Sequence, residues 1–326
     1  MRSGGIFGTK HKVRAQTVQV ALRSISSKFL LDGELSPLGT PETGYPKAIR
    51  QQLEGYKRQD PPPQPRLAVP LALPRFININ GQNSQCPKAQ AIGDMAIIAF
   101  YYLLRVGEYT YHRKGSTTRT RQFTIGDIAL WHNTTLLPTT HTEPTLMDRC
   151  TSATLSIVDQ KNGRRNVSIH QEATGSAHCP IRAIIRRIKS ITPHTRNPQT
   201  CISTYFPTRD SKYPRLVRAS EMNTAVKHAV AALGLDRNGL TPALVGSHSL
   251  RAGGAMAMYL NGVPHATIKK MGRWTSDTFL MYIHEQISAL SNNVSTRMST
   301  PIVFHNIHFD RRQNGKKPAP TPVNPT

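Results

Sequence analysis

Acidic residues are scarce in this chain. Asp and Glu number 18 against 42 Lys and Arg, a formal net charge of +24 over 326 residues. An excess of this size is more than solubility requires and points to a polyanion, with nucleic acid first. Long apolar runs are missing as well. The longest, 95–104, stops at Arg105, far short of the roughly 20 residues that span a bilayer. It reads as a buried helix, and no membrane partner is expected. Cysteine is rare: Cys86, Cys150, Cys179 and Cys201 are scattered without a CxxC pair. That is neither a zinc pattern nor a dense disulfide framework, and it fits a reduced compartment, nuclear or cytoplasmic. The N-terminus lacks the apolar core of a secretory signal. It is basic up to Asp32, which fits a mitochondrial presequence or, better, an amphipathic helix.

Residues 13–30 place Val18, Ala21, Leu22, Ile25, Phe29 and Leu30 at helical spacing. A second short helix is expected over 46–56. Gln59-Asp-Pro-Pro-Pro-Gln-Pro-Arg66 forbids regular helix or central strand, so 57–75 reads as a linker. Beyond it the pattern predicts a buried helix over 88–104 and a strand over 122–130. Strands over 151–158 and 165–170 flank Asn162-Gly163, the preferred pair of a two-residue hairpin turn. Ile181, Ile184, Ile185, Ile188 and Ile191 mark one helix face, with Arg182, Arg186, Arg187 and Lys189 largely on the other. Ser220 is placed to cap a helix that Gly234 ends. Short helices follow near 249–261, 264–271 and 276–290. The basic, proline-bearing stretch 311–326 has the composition of a disordered tail. The fold class expected is α+β, mainly helical, with a small antiparallel sheet. The organisation expected is 1–75 helical region and linker, 76–298 main domain, 299–326 tail.

The most informative stretch is Gly246-Ser-His-Ser-Leu-Arg251-Ala-Gly-Gly-Ala255. Ser247 or Ser249 can cap a helix there. His248 and Arg251 would then surround its N-terminus, where N–H groups and the helix dipole favour an anion. Gly253 and Gly254 each cost about 1 kcal/mol in a helix relative to Ala, so another backbone is expected to pack against them.

Downstream stand Ile268-Lys-Lys-Met-Gly272-Arg-Trp274 and Tyr282-Ile-His. Together with His248-x-x-Arg251, this order resembles the catalytic signature of tyrosine recombinases, the phage-integrase family. The wording Met-Gly-Arg-Trp-Thr-Ser-Asp-Thr-Phe-Leu-Met-Tyr282 looks especially like recombinases of eukaryotic mobile elements. Upstream, Leu103-Leu-Arg105-Val-Gly-Glu108 matches the family's R-x-x-E element at the end of an apolar helix. Lys161, beside Asn162-Gly163, matches its hairpin lysine. The resemblance covers roughly 85–290. Two departures stand out. Trp274 replaces the commoner His, and the step from Trp274 to Tyr282 is one residue shorter than in many bacterial members. One residue turns a helix by about 100°. The helical region before the linker is also shorter than the family's usual DNA-clamping domain.

The resemblance implies an integrase-like catalytic domain acting on double-stranded DNA and self-associating there, with Ile287–Leu290 one candidate contact. Tyr282 would be the nucleophile, Arg105 and Arg251 the clamp on the non-bridging oxygens, and Lys161 the general acid. His248 would be a proton shuttle or phosphate ligand, Trp274 a donor or packing group, and Glu108 a support that orients an arginine. No cofactor, metal or small-molecule substrate is implied, although His305-Asn-Ile-His308 has a spacing that a metal can use. Tyr101 and Tyr102 read as core, and Tyr109 and Tyr111 are the rival tyrosines. Two alternatives stand beside a recombinase or integrase. One is a type IB topoisomerase acting with the same residues on one duplex. The other is a decayed or domesticated relative that binds DNA without cutting it.

Overall fold

The computed structural model describes residues 13–39, 44–61, 66–111, 120–138, 148–159, 165–208, 210–276 and 280. The chain forms two compact units, Met1–Pro65 and Arg66–Thr326.

In the first unit, α1 (Ala15–Leu31) packs on α2 (Lys47–Gln59). Val18, Leu22 and Leu53 make the small core, with Ile49 and Tyr56 against it. The Asp60 carboxylate accepts a hydrogen bond from the Ala15 N–H at 2.8 Å, which ties the start of α1 to the end of α2. The apolar stripe expected along α1 is only partly buried. Ile25 and Leu30 are both exposed, because one short partner helix cannot cover a wide stripe.

The division at Pro65 falls earlier than the linker boundary expected at residue 75. Leu67 N–H donates to the Leu244 oxygen, and Val69 N–H to the Ser249 oxygen. Val69 and Leu73 are buried. Residues 67–73 are therefore part of the second unit's core: once past the prolines, their N–H groups find partners there.

The second unit opens with α3 (Ala72–Asn83) packed along α4 (Pro87–Tyr101). Pro87 is tolerated at the start of α4 because the first N–H groups of a helix lack intrahelical partners. Residues Ala91 to Phe100 of α4 are buried, as a mostly apolar run must be, and the one charge among them, Asp94, is held by Arg186. A single turn, α5 (Val106–Tyr109), follows. Then come β1 (Ile128–His132), β2 (Thr135–Leu137), β3 (Ser152–Asp159) and β4 (Arg165–Glu172). They form one antiparallel sheet in the order β2-β1-β3-β4. The strand expected over 122–130 begins later, because Ile125–Asp127 is a 3-10 turn. The Asp127 carboxylate fixes that turn through the N–H and hydroxyl of Thr124.

Asp159 pairs with Arg165 at the end of the β3–β4 ladder. Residues 160–164, Lys161 among them, lie outside the described residues.

Next come α6 (Pro180–Ile191), the short pair β5 (Thr204–Tyr205) and β6 (Arg215–Leu216), and α7 (Ala219–Ala232). The five isoleucines of α6 are buried as expected, but so is Arg187. It sits one position before Ile188, on the flank of the apolar face. Its guanidinium donates to the main-chain oxygens of Ile202 and Thr204. Burial lowers its pKa to about 10. α7 is entered at Arg218 rather than Ser220, with Glu221 accepting from the Arg218 N–H at 2.8 Å, and Gly234 ends it at φ 61°. The described part closes with α8 (Ser247–Leu260) and α9 (His265–Gly272). The main core joins α3, α4, the sheet, α6 and α7. The fold is α+β, mainly helical, with a small antiparallel sheet, and no described helix is long and apolar enough to cross a membrane. The tail 311–326, the segment 281–310 and the pair His305 and His308 lie outside the described residues.

Candidate phosphate-binding site

Two features bring distant residues together, the kink after α4 and the start of α8. After α4 the chain turns at Leu103, whose φ is 49°, a left-handed conformation that side chains disfavour. The turn points the Leu103 carbonyl toward α8. Arg105 then stands at the N-cap of α5. Glu108, at the third position of that turn, accepts the Arg105 N–H at 2.8 Å and its Nη1 at 3.1 Å. This is the carboxylate half of a capping box.

α8 approaches α4 closely because Gly253 and Gly254 leave room. A β-carbon on Gly253 would collide with the Val69 carbonyl, and one on Gly254 with the Phe100 carbonyl. The close backbone approach expected from the two glycines is present. Capping of α8 differs from expectation. Gly246 is the N-cap, and Ser249 accepts the Gly246 N–H at 3.1 Å. The Ser247 N–H is satisfied by the Asn223 side chain of α7 at 2.6 Å. A partner from another helix replaces the local serine cap.

Arg251 is thereby carried inward, with 1% of its surface exposed. It donates to the Leu103 oxygen and the Gly272 oxygen. The Trp274 ring covers it, with the guanidinium carbon 4.4 Å from the ring centroid. Gly272 is the residue that lets this ring in, since any β-carbon there would occupy the ring's own position. Arg273, at the C-cap of α9 with φ 57°, turns the opposite way and is fully buried. It donates to the Leu103 oxygen and the Glu108 carboxylate, both at 2.9 Å.

His248 is largely buried beside these guanidiniums. Burial, then Arg251, then Arg105 lower its pKa to about 4. It is neutral near pH 7. Both arginines act on one imidazole, so residues from the α4 end and from α8 share one site.

Of the expected site residues, Arg105, Glu108, His248, Arg251 and Trp274 lie together. Lys161 and Tyr282 lie outside the described residues. Leu280, two residues before Tyr282, packs against Ala252, Ala255, Met256 and Ile268. Of the rival tyrosines, Tyr109 is fully buried, and desolvation pushes its phenol well up; Tyr111 is exposed on another face beside Arg218. Tyr102 is core and donates to the Ala153 oxygen at 2.9 Å. Among the described residues, no group of three or more His, Cys, Asp or Glu is arranged to hold a metal ion.

Sequence reasoning missed Arg273. Within Gly272-Arg-Trp274 the pattern points to Trp274 and gives the arginine no role. A usable signal was there: Arg273 stands one position before Trp274 and restores the longer spacing to Tyr282.

No family model and no curated protein matches the chain. Solved structures of tyrosine recombinases are similar to it. Tn1549 transposon integrase in complex with circular intermediate DNA is 12% identical with a TM-score of 0.42, covering 83% of this chain and 75% of that one. XerA recombinase is 14% identical with a TM-score of 0.42, covering 89% and 85%. XerH site-specific recombinase bound to palindromic difH substrate is 12% identical with a TM-score of 0.43, covering 88% and 73%.

Proposed function

We propose that this protein is a site-specific DNA recombinase or integrase that breaks and rejoins strands through a 3′-phosphotyrosyl intermediate. One observation carries the reading: Arg105 and Arg251, distant in sequence, are drawn to one place, Arg105 on the Glu108 carboxylate and Arg251 on the Leu103 oxygen, with Arg273 bonded to both acceptors. Guanidinium is always charged and matches the oxygens of a phosphodiester in a planar, bidentate way. Donors fixed in a dry site stabilise charge that develops at phosphorus without reorganising during the reaction.

In this reading Tyr282 attacks the scissile phosphorus. The bond from phosphorus to the 5′ oxygen breaks, and Lys161 protonates that oxygen as it leaves. The phenol proton passes to His248. An unperturbed phenol, with a pKa of about 10, is a weak nucleophile until its proton is taken. Burial is the main cause of the lowered His248 pKa and arginine repulsion the lesser one; phosphate between the two arginines offsets that repulsion and so raises imidazole basicity in part. Trp274 supports Arg251 by packing and can donate only through its indole N–H. Glu108 orients Arg105. The phosphotyrosyl link retains the phosphodiester energy, and a 5′-hydroxyl from a second strand reverses the step, so neither ATP nor a metal is called on. The partner is double-stranded DNA, on which the protein self-associates, and a mobile element is the natural setting.

The test is a suicide duplex nicked beside the cleavage point, run on a denaturing gel. Wild type should form a covalent adduct. Tyr282→Phe should form none while keeping its DNA affinity. No adduct from wild type on element-end DNA would favour the reading of a DNA-binding relative that no longer cuts.

A further inference from the structure

The strand-transfer scheme above leaves Arg273 without a task, yet its placement is costly. Its backbone is left-handed, φ 57°, where a non-glycine residue costs on the order of 1–2 kcal/mol. A chain reversal alone would favour glycine or asparagine at this position. The side chain is buried with its charge, and burial, more than the nearby Arg105, lowers its pKa while Glu108 opposes the shift. Two of its donors, Nε and Nη1, have no hydrogen-bond partner among the described residues. A role in stability alone does not account for a strained, half-satisfied buried cation.

Its bonds close a circuit. Nη2 meets the Leu103 oxygen and the Glu108 carboxylate together. The Leu103 oxygen also holds Arg251, and Glu108 also holds Arg105. Arg273 thus joins the two acceptors on which the clamp arginines rest. We propose that Arg273 is the positioning residue of the site. It fixes the Leu103 oxygen against the Glu108 carboxylate, and through them the separation and tilt of the Arg251 and Arg105 guanidiniums. The inference rests on the reading of those two as a phosphate clamp.

The test is a double-mutant cycle on the full chain with Arg273→Lys, Arg105→Lys and both. The readout is the rate of phosphotyrosyl adduct formation at saturating DNA. Lysine keeps the charge, but its ammonium is a point on a flexible stem and lacks the rigid planar guanidinium that sets Nη2 between the two acceptors. Arg273→Lys should slow the adduct about tenfold or more, leave DNA affinity within about threefold, and add little to Arg105→Lys. A rate within about twofold of wild type, or losses that multiply fully, overturns the proposal. Should Arg273→Lys fail to fold, Glu108→Gln is combined with Arg251→Lys. That pair is joined through Arg273 and the Leu103 oxygen, so their coupling runs through the residues between them, and full multiplication of their losses overturns the bridge. Wild type that forms no adduct refutes the strand-transfer reading instead. The bridge is then read from the rise in unfolding midpoint that inorganic sulfate gives. Sub-additive loss of that rise across the cycle supports it, and additive loss or no rise overturns it.

Discussion

Arg251 lies beneath Trp274, its guanidinium carbon 4.4 Å from the centre of the ring. The contact assigns Trp274 to holding the cation through its π face. Such contacts contribute about 0.5–2 kcal/mol, the more the drier the site. Trp274→Phe should therefore keep most strand-transfer activity, whereas Trp274→Ala should lose about tenfold. Adduct rates of the two variants check this. Equal losses would assign the role to the indole N–H.

His248 makes stability pH-dependent. Its pKa is lowered to about 4 in the folded protein, against about 6.5 for an unperturbed imidazole. The unfolded chain therefore binds the extra proton across that interval, and stability rises with pH there. Stability should be full above about pH 6.5 and fall toward pH 4 by up to about 3 kcal/mol. Denaturant unfolding at several pH values should show the slope, and His248→Asn should flatten it.

Gly254 should not tolerate a side chain. A β-carbon would strike the Phe100 carbonyl and the Leu103 side chain, and backbone cannot step aside cheaply. Gly254→Ala should cost about 3 kcal/mol, read as a lowered denaturant midpoint. It should also slow the adduct step, since Phe100 and Leu103 lead directly into the arginine site.

Glu108 neutralises the charge of Arg273, which water does not reach, and that of the partly exposed Arg105. It is 1% exposed and meets Arg105 and Arg273. Glu108→Ala should destabilise the fold by about 3–5 kcal/mol, the range for removing one member of a buried ion pair. Thermal unfolding would measure it.

DNA affinity should fall steeply with salt. With a net charge of +24, log affinity against log salt should be linear, with a slope near 0.9 per phosphate neutralised. A flat response in a filter-binding titration would contradict an electrostatic interface.

Much of this was legible in the sequence because periodicity is a local property. The isoleucine face of α6 and the mostly apolar α4 follow from spacing and composition alone. The glycine pair of α8 correctly announced a close backbone, although not which backbone. What escaped depends on tertiary partners. Arg187 looked solvated, yet the Ile202 and Thr204 oxygens take it inside. The cap of α8 comes from Asn223, on another helix. Arg273 was hidden because its direction depends on a left-handed backbone angle that residue type does not announce.

The turn at Leu103 has a further consequence. Its oxygen and that of Gly272 anchor Arg251 through the main chain, which every residue type possesses. Exchange of the Leu103 side chain for another apolar one leaves that anchor in place. The arginine site is thus insulated from much of the drift in side chains around it. Positions that should accept no exchange are the arginines, one carboxylate, one imidazole, the glycine beneath the indole and the glycine pair of α8. A deep mutational scan of 95–110 and 246–276 should show these as intolerant of every other residue, while the buried apolar positions of 95–104 accept only other apolar residues.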